Sequence, residues 1–196
     1  LAGVTRCAAG LGWLSAESDA GRAYLSGAAW AVEYAEASRQ AMIDAVATIL
    51  GETLGAALVA DSRISTTHNL IRREGHFGET WWVHRKGAMP AAPGTPGVIP
   101  GSMGSESFHV EGRGNAESLQ SSSHGAGRAM SRHDAARSVS ERELCRQMRG
   151  VWFDARRARH LRDEAPSAYK DITAVMRAQA DLVRITRRLR PILSYK

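Results

Sequence analysis

Ser123-His124-Gly125-Ala126-Gly127-Arg128 is the run in this sequence with residue types suited to chemistry. A neutral imidazole held in one tautomer is a nucleophile towards phosphorus. Gly125 and Gly127 leave the backbone bare where an anion can approach, and Arg128 adds a fixed positive charge. This is chemistry for a phosphate rather than for a core. Other candidates lie upstream. Arg85 and Lys86, at the end of Trp81-Trp82-Val83-His84-Arg85-Lys86-Gly87, read as a basic rim for nucleotide or RNA phosphates. Ser102 and Ser107, beside Gly101 and Gly104, offer hydroxyls to an exocyclic group or a phosphate. His68 beside Asn69 reads, on residue type alone, as structural or surface-exposed.

The elements that must position these residues follow from periodicity. Apolar residues recur at helical spacing from Asp19 to Leu50, predicting one long helix, or two joined near Ala37 and Ser38; Ser18 or Asp19 is the cap and Gly51 the stop. Ile64 to Asn69 reads as a short extended segment presenting His68, and Thr80 to Val83 as a buried strand. Pro90, Pro93 and Pro96 mark a loop, after which Val98 to Gly104 is strand and tight turn, Phe108 to Val110 a strand, and Gly112 to Asn115 a turn. Ala129, Met130, Ala135 and Ala136 suggest a helix beginning near the glycines, whose positive end would face His124. Ser140 to Met148 reads as a short helix and Val151-Trp152-Phe153 as a buried strand. Arg156 to Arg162 is a basic run, most often a solvated face. Asp171 to Leu189 shows an amphipathic stripe, Gln179 included, that predicts a helix stopped by Pro191. The fold class expected is α+β, a mixed or antiparallel sheet with strands near residues 81, 98, 108 and 151 packed with two long helices.

Composition narrows the class. With 43% hydrophobic and 23% charged residues, the 196-residue chain sits among globular proteins and can bury a sizeable core. Lys and Arg total 26 against 20 for Asp and Glu, and the net charge of +6 favours a polyanionic partner. Two cysteines, Cys7 and Cys145, do not make a disulfide framework, which points to a reducing cytoplasm. No apolar run suits a bilayer and no signal-peptide pattern opens the chain, so no membrane partner is expected. The first residue is Leu1 rather than methionine, from which an upstream segment is expected.

From about Ala23 to Lys196 the chain resembles the second half of the RtcB family of RNA-splicing ligases. Val83-His84-Arg85-Lys86-Gly87, Val98 to Phe108, Gly112 to Asn115, the His124 motif, Asp163-Glu164-Ala165-Pro166 and Ala168-Tyr169-Lys170-Asp171 carry the resemblance, in the family's order. It implies that residues 1–196 are the C-terminal portion of a single RtcB-like catalytic domain. It also implies a GTP- and manganese-dependent RNA ligase that joins 2′,3′-cyclic phosphate or 3′-phosphate ends to 5′-hydroxyl ends, in tRNA splicing or RNA repair. By resemblance His124 is the guanylylated nucleophile, and His68 is a ligand to one of two manganese ions. Ser102, Ser107, Gly125, Ala126, Gly127, Arg128, Tyr169 and Lys196 hold the nucleotide, with the tyrosine ring stacking on guanine and the lysine meeting its carbonyl edge. Arg128 and Arg132 go to phosphate contacts. RNA ends, GTP and an activating partner protein are the partners implied.

The family's other metal-ligand motifs do not occur before His68, and Cys7 lacks the aspartate that would precede it. The alternative is therefore a catalytically inactive fragment that acts as a nucleotide- or RNA-binding module.

Overall fold

The computed structural model describes residues 4–6, 12–57, 59 and 63–196, so Cys7 lies outside the described residues. Helices and antiparallel sheets make an α+β fold, divided into two compact units, Leu1–Lys86 and Gly87–Lys196. Among the described residues no helix is long and apolar enough to cross a membrane.

In the first unit β1 (Thr5–Arg6) pairs with β2 (Gly12–Trp13), and α1 runs unbroken over Asp19–Leu54, across Ala37 and Ser38. The Ser18 side chain caps it by accepting from Gly21 N–H at 3.0 Å. The stop is Gly55, not Gly51. Gly55 has φ 64° and returns its N–H to the Gly51 carbonyl, while Glu52 to Leu54 still favour the helix. Of the apolar positions that recur at helical spacing, Leu25, Ala28, Val32, Ala35 and Ile43 are half-buried, whereas Tyr24, Met42, Val46 and Ile49 are exposed. β3 (Asn69–His76) and β4 (Glu79–Lys86) form a hairpin closed by Phe77 and Gly78, both at positive φ, which matches the twist of the strands. Thr80 to Val83 is a strand but not a buried one: Val83 is buried, while Trp81 and Trp82, on opposite faces of the two-stranded ribbon, are 49% and 43% exposed.

In the second unit β5 (Ala88–Pro90) pairs with β8 (Ser121–Ser123), and β6 (Pro96–Pro100), β7 (Ser107–Gly112) and β9 (Val183–Leu189) form an antiparallel sheet in the order β6-β7-β9. Met89, Ile99, Phe108, Val110, Ile172, Met176 and Val183 fill its core. A second cluster of Met103, Val139, Leu144, Met148 and Leu161 is gathered by α2 (Arg132–Ser138), α3 (Glu141–Gln147) and α4 (Ala158–Leu161).

Three expectations are corrected here. The span Asp171 to Leu189 is not one helix. After Asp171 caps α5 (Ile172–Ala178), Leu182 and Val183 N–H both return to the Gln179 carbonyl, and the chain becomes β9. Val183 and Leu189 fit the helical stripe, Ile185 fits only the strand spacing, and pairing along the edge of β7 settles the matter. There is accordingly one long helix rather than two. Val151 to Phe153 is not a strand: Trp152 makes a single bridge to Leu193 and is 57% exposed. The helix expected near the glycines begins only at Arg132, capped by Ser131, so its positive end does not lie at the His124 loop.

Gly112 sets the tightest packing on β7. A Cβ there would lie 2.3 Å from Ala92 O and 2.4 Å from Ala91 C, both backbone atoms. We predict that Gly112→Ala lowers unfolding stability by about 3 kcal/mol in urea titrations. An unchanged midpoint would show that the Ala91-Ala92 segment yields freely.

Candidate functional site

β8 delivers His124 to the end of the β5–β8 ribbon, where Ala88 faces Ser123 and Gly87 is next in line. The half-buried imidazole places Nδ1 2.6 Å from the Gly87 carbonyl. A carbonyl only accepts, so Nδ1 carries the hydrogen and the ring lone pair resides on Nε2. Gly87 sits at φ 71°, and a Cβ there would come within 3.4 Å of His124 Cε1. On the preceding residue, both the N–H and the hydroxyl of Ser123 donate to Gln179 Oε1 at 3.0 Å.

The loop after His124 is pinned on both sides. Ala126 N–H donates to the Pro100 carbonyl at 3.0 Å, so the expected amide cradle from 125 to 127 is corrected at its middle, where the amide already serves β6. Lys170 N–H donates to Gly127 O, and Arg128 bridges Tyr169. The Arg128 guanidinium donates to Met130 O, Tyr169 Oη and Asp163 O, and lies 4.9 Å from the Tyr169 ring centroid. Expected as a phosphate contact, Arg128 is here first a brace. Ser102 is held by Ser105, whose Oγ accepts from Ser102 N–H at 2.6 Å and lies 2.8 Å from Ser102 Oγ. Ser107 opens β7 opposite Pro100.

Tyr169 and Lys196, both expected at the nucleotide base, converge on Glu164, which is 5% exposed. Tyr169 Oη donates to Glu164 Oε2 at 2.5 Å, Lys196 Nζ donates to the same oxygen, and Arg132 pairs with Glu164 and with Asp163. Arg132 therefore already spans two carboxylates. Burial opposes the Glu164 charge most strongly, yet the hydrogen bonds from Lys196 and Tyr169 and the attraction of Lys196 and Arg132 outweigh it and bring its pKa down to about 2. Burial, then the bond to Glu164, raises the Tyr169 phenol.

The first unit holds His68, half-buried just before β3. Its neighbour Thr67 donates to Glu36 Oε1 at 2.7 Å and accepts from Arg39 at 2.9 Å, which ties the approach to α1. His68 lines a cavity of about 590 Å³ with Tyr24, Arg39, His84 and Lys86. Lys86 is exposed, but Arg85 is not the rim cation expected: it is 4% exposed and binds both oxygens of Glu74 at 2.6 and 2.8 Å across the hairpin. Among the described residues no group of three or more His, Cys, Asp or Glu side chains is gathered that could hold a metal ion.

Sequence reasoning gave no role to Gly87 O, Gln179, Ser105 or Glu164. A signal was present for Gln179, the one amide in an apolar stripe, and for Glu164, an acid beside the small buried Ala165 and Ala168.

A family model described as tRNA-splicing ligase RtcB matches residues 5–196. The chain is similar to the RNA-splicing ligase RtcB of Escherichia coli (strain K12), 43% identical over 178 residues that cover 88% of this chain and 43% of the relative. It is similar to the RNA-splicing ligase RtcB of Mycobacterium tuberculosis, 34% identical over 193 residues, with 88% and 44% covered. A third relative is the tRNA-splicing ligase RtcB of Pyrococcus abyssi, 32% identical over 206 residues, with 90% and 22% covered. The chain spans less than half the length of these relatives.

Glu164 also sets an acid limit for the second unit. Its folded pKa of about 2 lies below the ordinary 4.5, so the stability it contributes is present above the ordinary value and is lost as pH falls towards about 2. We predict that the melting-temperature gap between the native chain and Glu164→Gln is widest above about pH 5 and closes on acidification. A gap that stays constant down to pH 2 would contradict the assigned shift.

Proposed function

For this chain, which belongs to the RtcB family, we propose a part in RNA ligation, with His124 accepting a guanylyl group from GTP and passing it to an RNA 3′-phosphate. The observation that carries this reading is the Nδ1–H bond to Gly87 O, which gives Nε2 the lone pair a nucleophile needs. Nε2 attacks the α-phosphorus, an N–P bond forms, the bond to the bridging oxygen breaks, and pyrophosphate leaves with that electron pair. An oxygen of the RNA 3′-phosphate then displaces the imidazole from phosphorus. Attack by a 5′-hydroxyl, which gives up its proton, seals the strand and releases GMP.

The residues suited to hold the nucleotide are Ser102, Ser107, Tyr169 and Lys196 at the base, with Gly125, Gly127 and the Arg128 charge near the phosphates. Manganese would offset charge on the phosphoryl oxygens, and His68 would be one ligand to it. One imidazole by itself does not make a donor set for that ion. A reducing cytoplasm fits the cysteine usage.

A second reading is a nucleotide- or RNA-binding module without transfer; among the described residues no group of three or more His, Cys, Asp or Glu side chains gathers to hold a metal. The two separate on incubation with labelled GTP and manganese. Label on His124 supports transfer, whereas retention of GTP without label supports the module. We predict that His124→Ala abolishes labelling while leaving the melting temperature within a few degrees, because the ring lies on a loop and not in either core cluster. Labelling that survives would make another residue the nucleophile. His68→Ala should weaken manganese binding about tenfold or more in a metal titration, and an unaltered titration would remove it from the ligand set.

A further inference from the structure

We infer that Glu164 is the positioning residue of the nucleotide-base pocket: its carboxylate fixes the Tyr169 ring and the Lys196 ammonium in place, and selection of a 6-oxopurine over adenine depends on it. This deepens, and rests on, the reading of Tyr169 and Lys196 as base contacts.

Three observations support the inference. Glu164 is 5% exposed, yet one of its oxygens receives both the Tyr169 hydroxyl and the Lys196 ammonium, two side chains otherwise far apart in sequence. A lysine on a four-carbon stem has no preferred place until something holds its head, and an unheld head loses rotamer freedom when it binds. Glu164 supplies that hold from beneath. The residues around it are also wired to the histidine loop. Tyr169 bridges Arg128, four residues after His124, and Lys170 N–H donates to Gly127 O. The Tyr169 hydroxyl and ring also meet the Arg128 guanidinium, so the position of the ring is coupled to the loop that carries His124.

The chemical consequence is selective. An ammonium has three donors and no acceptor, so it suits the 6-carbonyl of guanine or hypoxanthine and is mismatched to the 6-amino group of adenine. A lysine swinging freely would discriminate less. Arg132 pairs with the other oxygen of Glu164, Oε1, and leaves Oε2 to Tyr169 and Lys196.

The test uses the whole chain with GTP and ATP as probes, measured by equilibrium dialysis, together with amine-reactive footprinting of Lys196 read by mass spectrometry. Glu164→Gln keeps the shape and removes the charge. The expected result is a GTP affinity about tenfold lower, an ATP affinity unchanged, and several-fold faster modification of Lys196. Glu164→Asp, which keeps the charge one methylene further back, should fall between. If the glutamine variant does not fold, the aspartate variant must itself show reduced GTP-over-ATP selection. An unchanged GTP-to-ATP ratio in a folded variant, an unchanged Lys196 footprint, or no preference for GTP in the native chain overturns the inference. Selective GTP binding that responds to Glu164 without any label on His124 defeats the transfer reading alone. Label on His124 with selectivity indifferent to Glu164 defeats this one alone.

Discussion

Much of the second unit's chemistry depends on where one carbonyl points. Gly87 adopts φ 71°, and its oxygen accepts from His124 Nδ1 at 2.6 Å and, more loosely at 3.4 Å, from the His124 backbone N–H. Neither bond is local, since 37 residues separate the partners. They meet because β5 and β8 pair with Ala88 opposite Ser123, and that register is fixed by Met89, 1% exposed on the core side, and by Gln179 holding Ser123. A slip of one residue would turn Met89 outward, so the apolar core enforces the imidazole tautomer at a distance. The orientation of the His124 imidazole is thus a product of sheet register more than of its own loop.

Electrostatics in the second unit invert the impression that the net charge gives. A surplus of six positive charges suggests cations waiting for phosphate, yet around the base contacts Arg128, Arg132 and Lys196 all engage Asp163 or Glu164 or their backbone. Three cations against two carboxylates leave one net positive charge there. A network of that kind is rigid more than attractive. Its buried carboxylate would be costly alone and is tolerable because it is saturated with donors. A bound anion would therefore meet an arranged surface with a modest positive bias, which favours orientation over bulk attraction.

The sequence revealed most where residue type leaves little choice. Ser18 was legible as a cap of the first helix, and Ser140 and Asp171 as the points where helices start, because serine and aspartate side chains satisfy backbone donors locally. Long-range partners were illegible. Arg85 looked like a surface cation because Glu74, across the hairpin, cannot be assigned to it from spacing. Val183 to Leu189 fitted a helical period until β7 was seen to need an edge partner. Glu164 stood inside a recognised motif yet had no role, since its function is to receive Tyr169 and Lys196, and only the folded chain brings those two together.

Binding and transfer make different demands, and the residues of this chain meet them unequally. Holding a nucleotide asks for shape, a stacking ring and donors at fixed places, and in the proposed reading Tyr169, Lys196 and the serine turn of the second unit would supply them. Moving a guanylyl group also requires that charge growing on the phosphoryl oxygens be offset at the moment of reaction. Arg128 contributes there, but its guanidinium already serves three protein acceptors, and the nearby Ala126 amide is committed to Pro100. In the proposed reading a divalent cation would supply the remaining compensation. In that reading nucleotide recognition asks only for residues of the second unit, whereas phosphoryl transfer asks for charge compensation beyond the committed Arg128 and Ala126 groups.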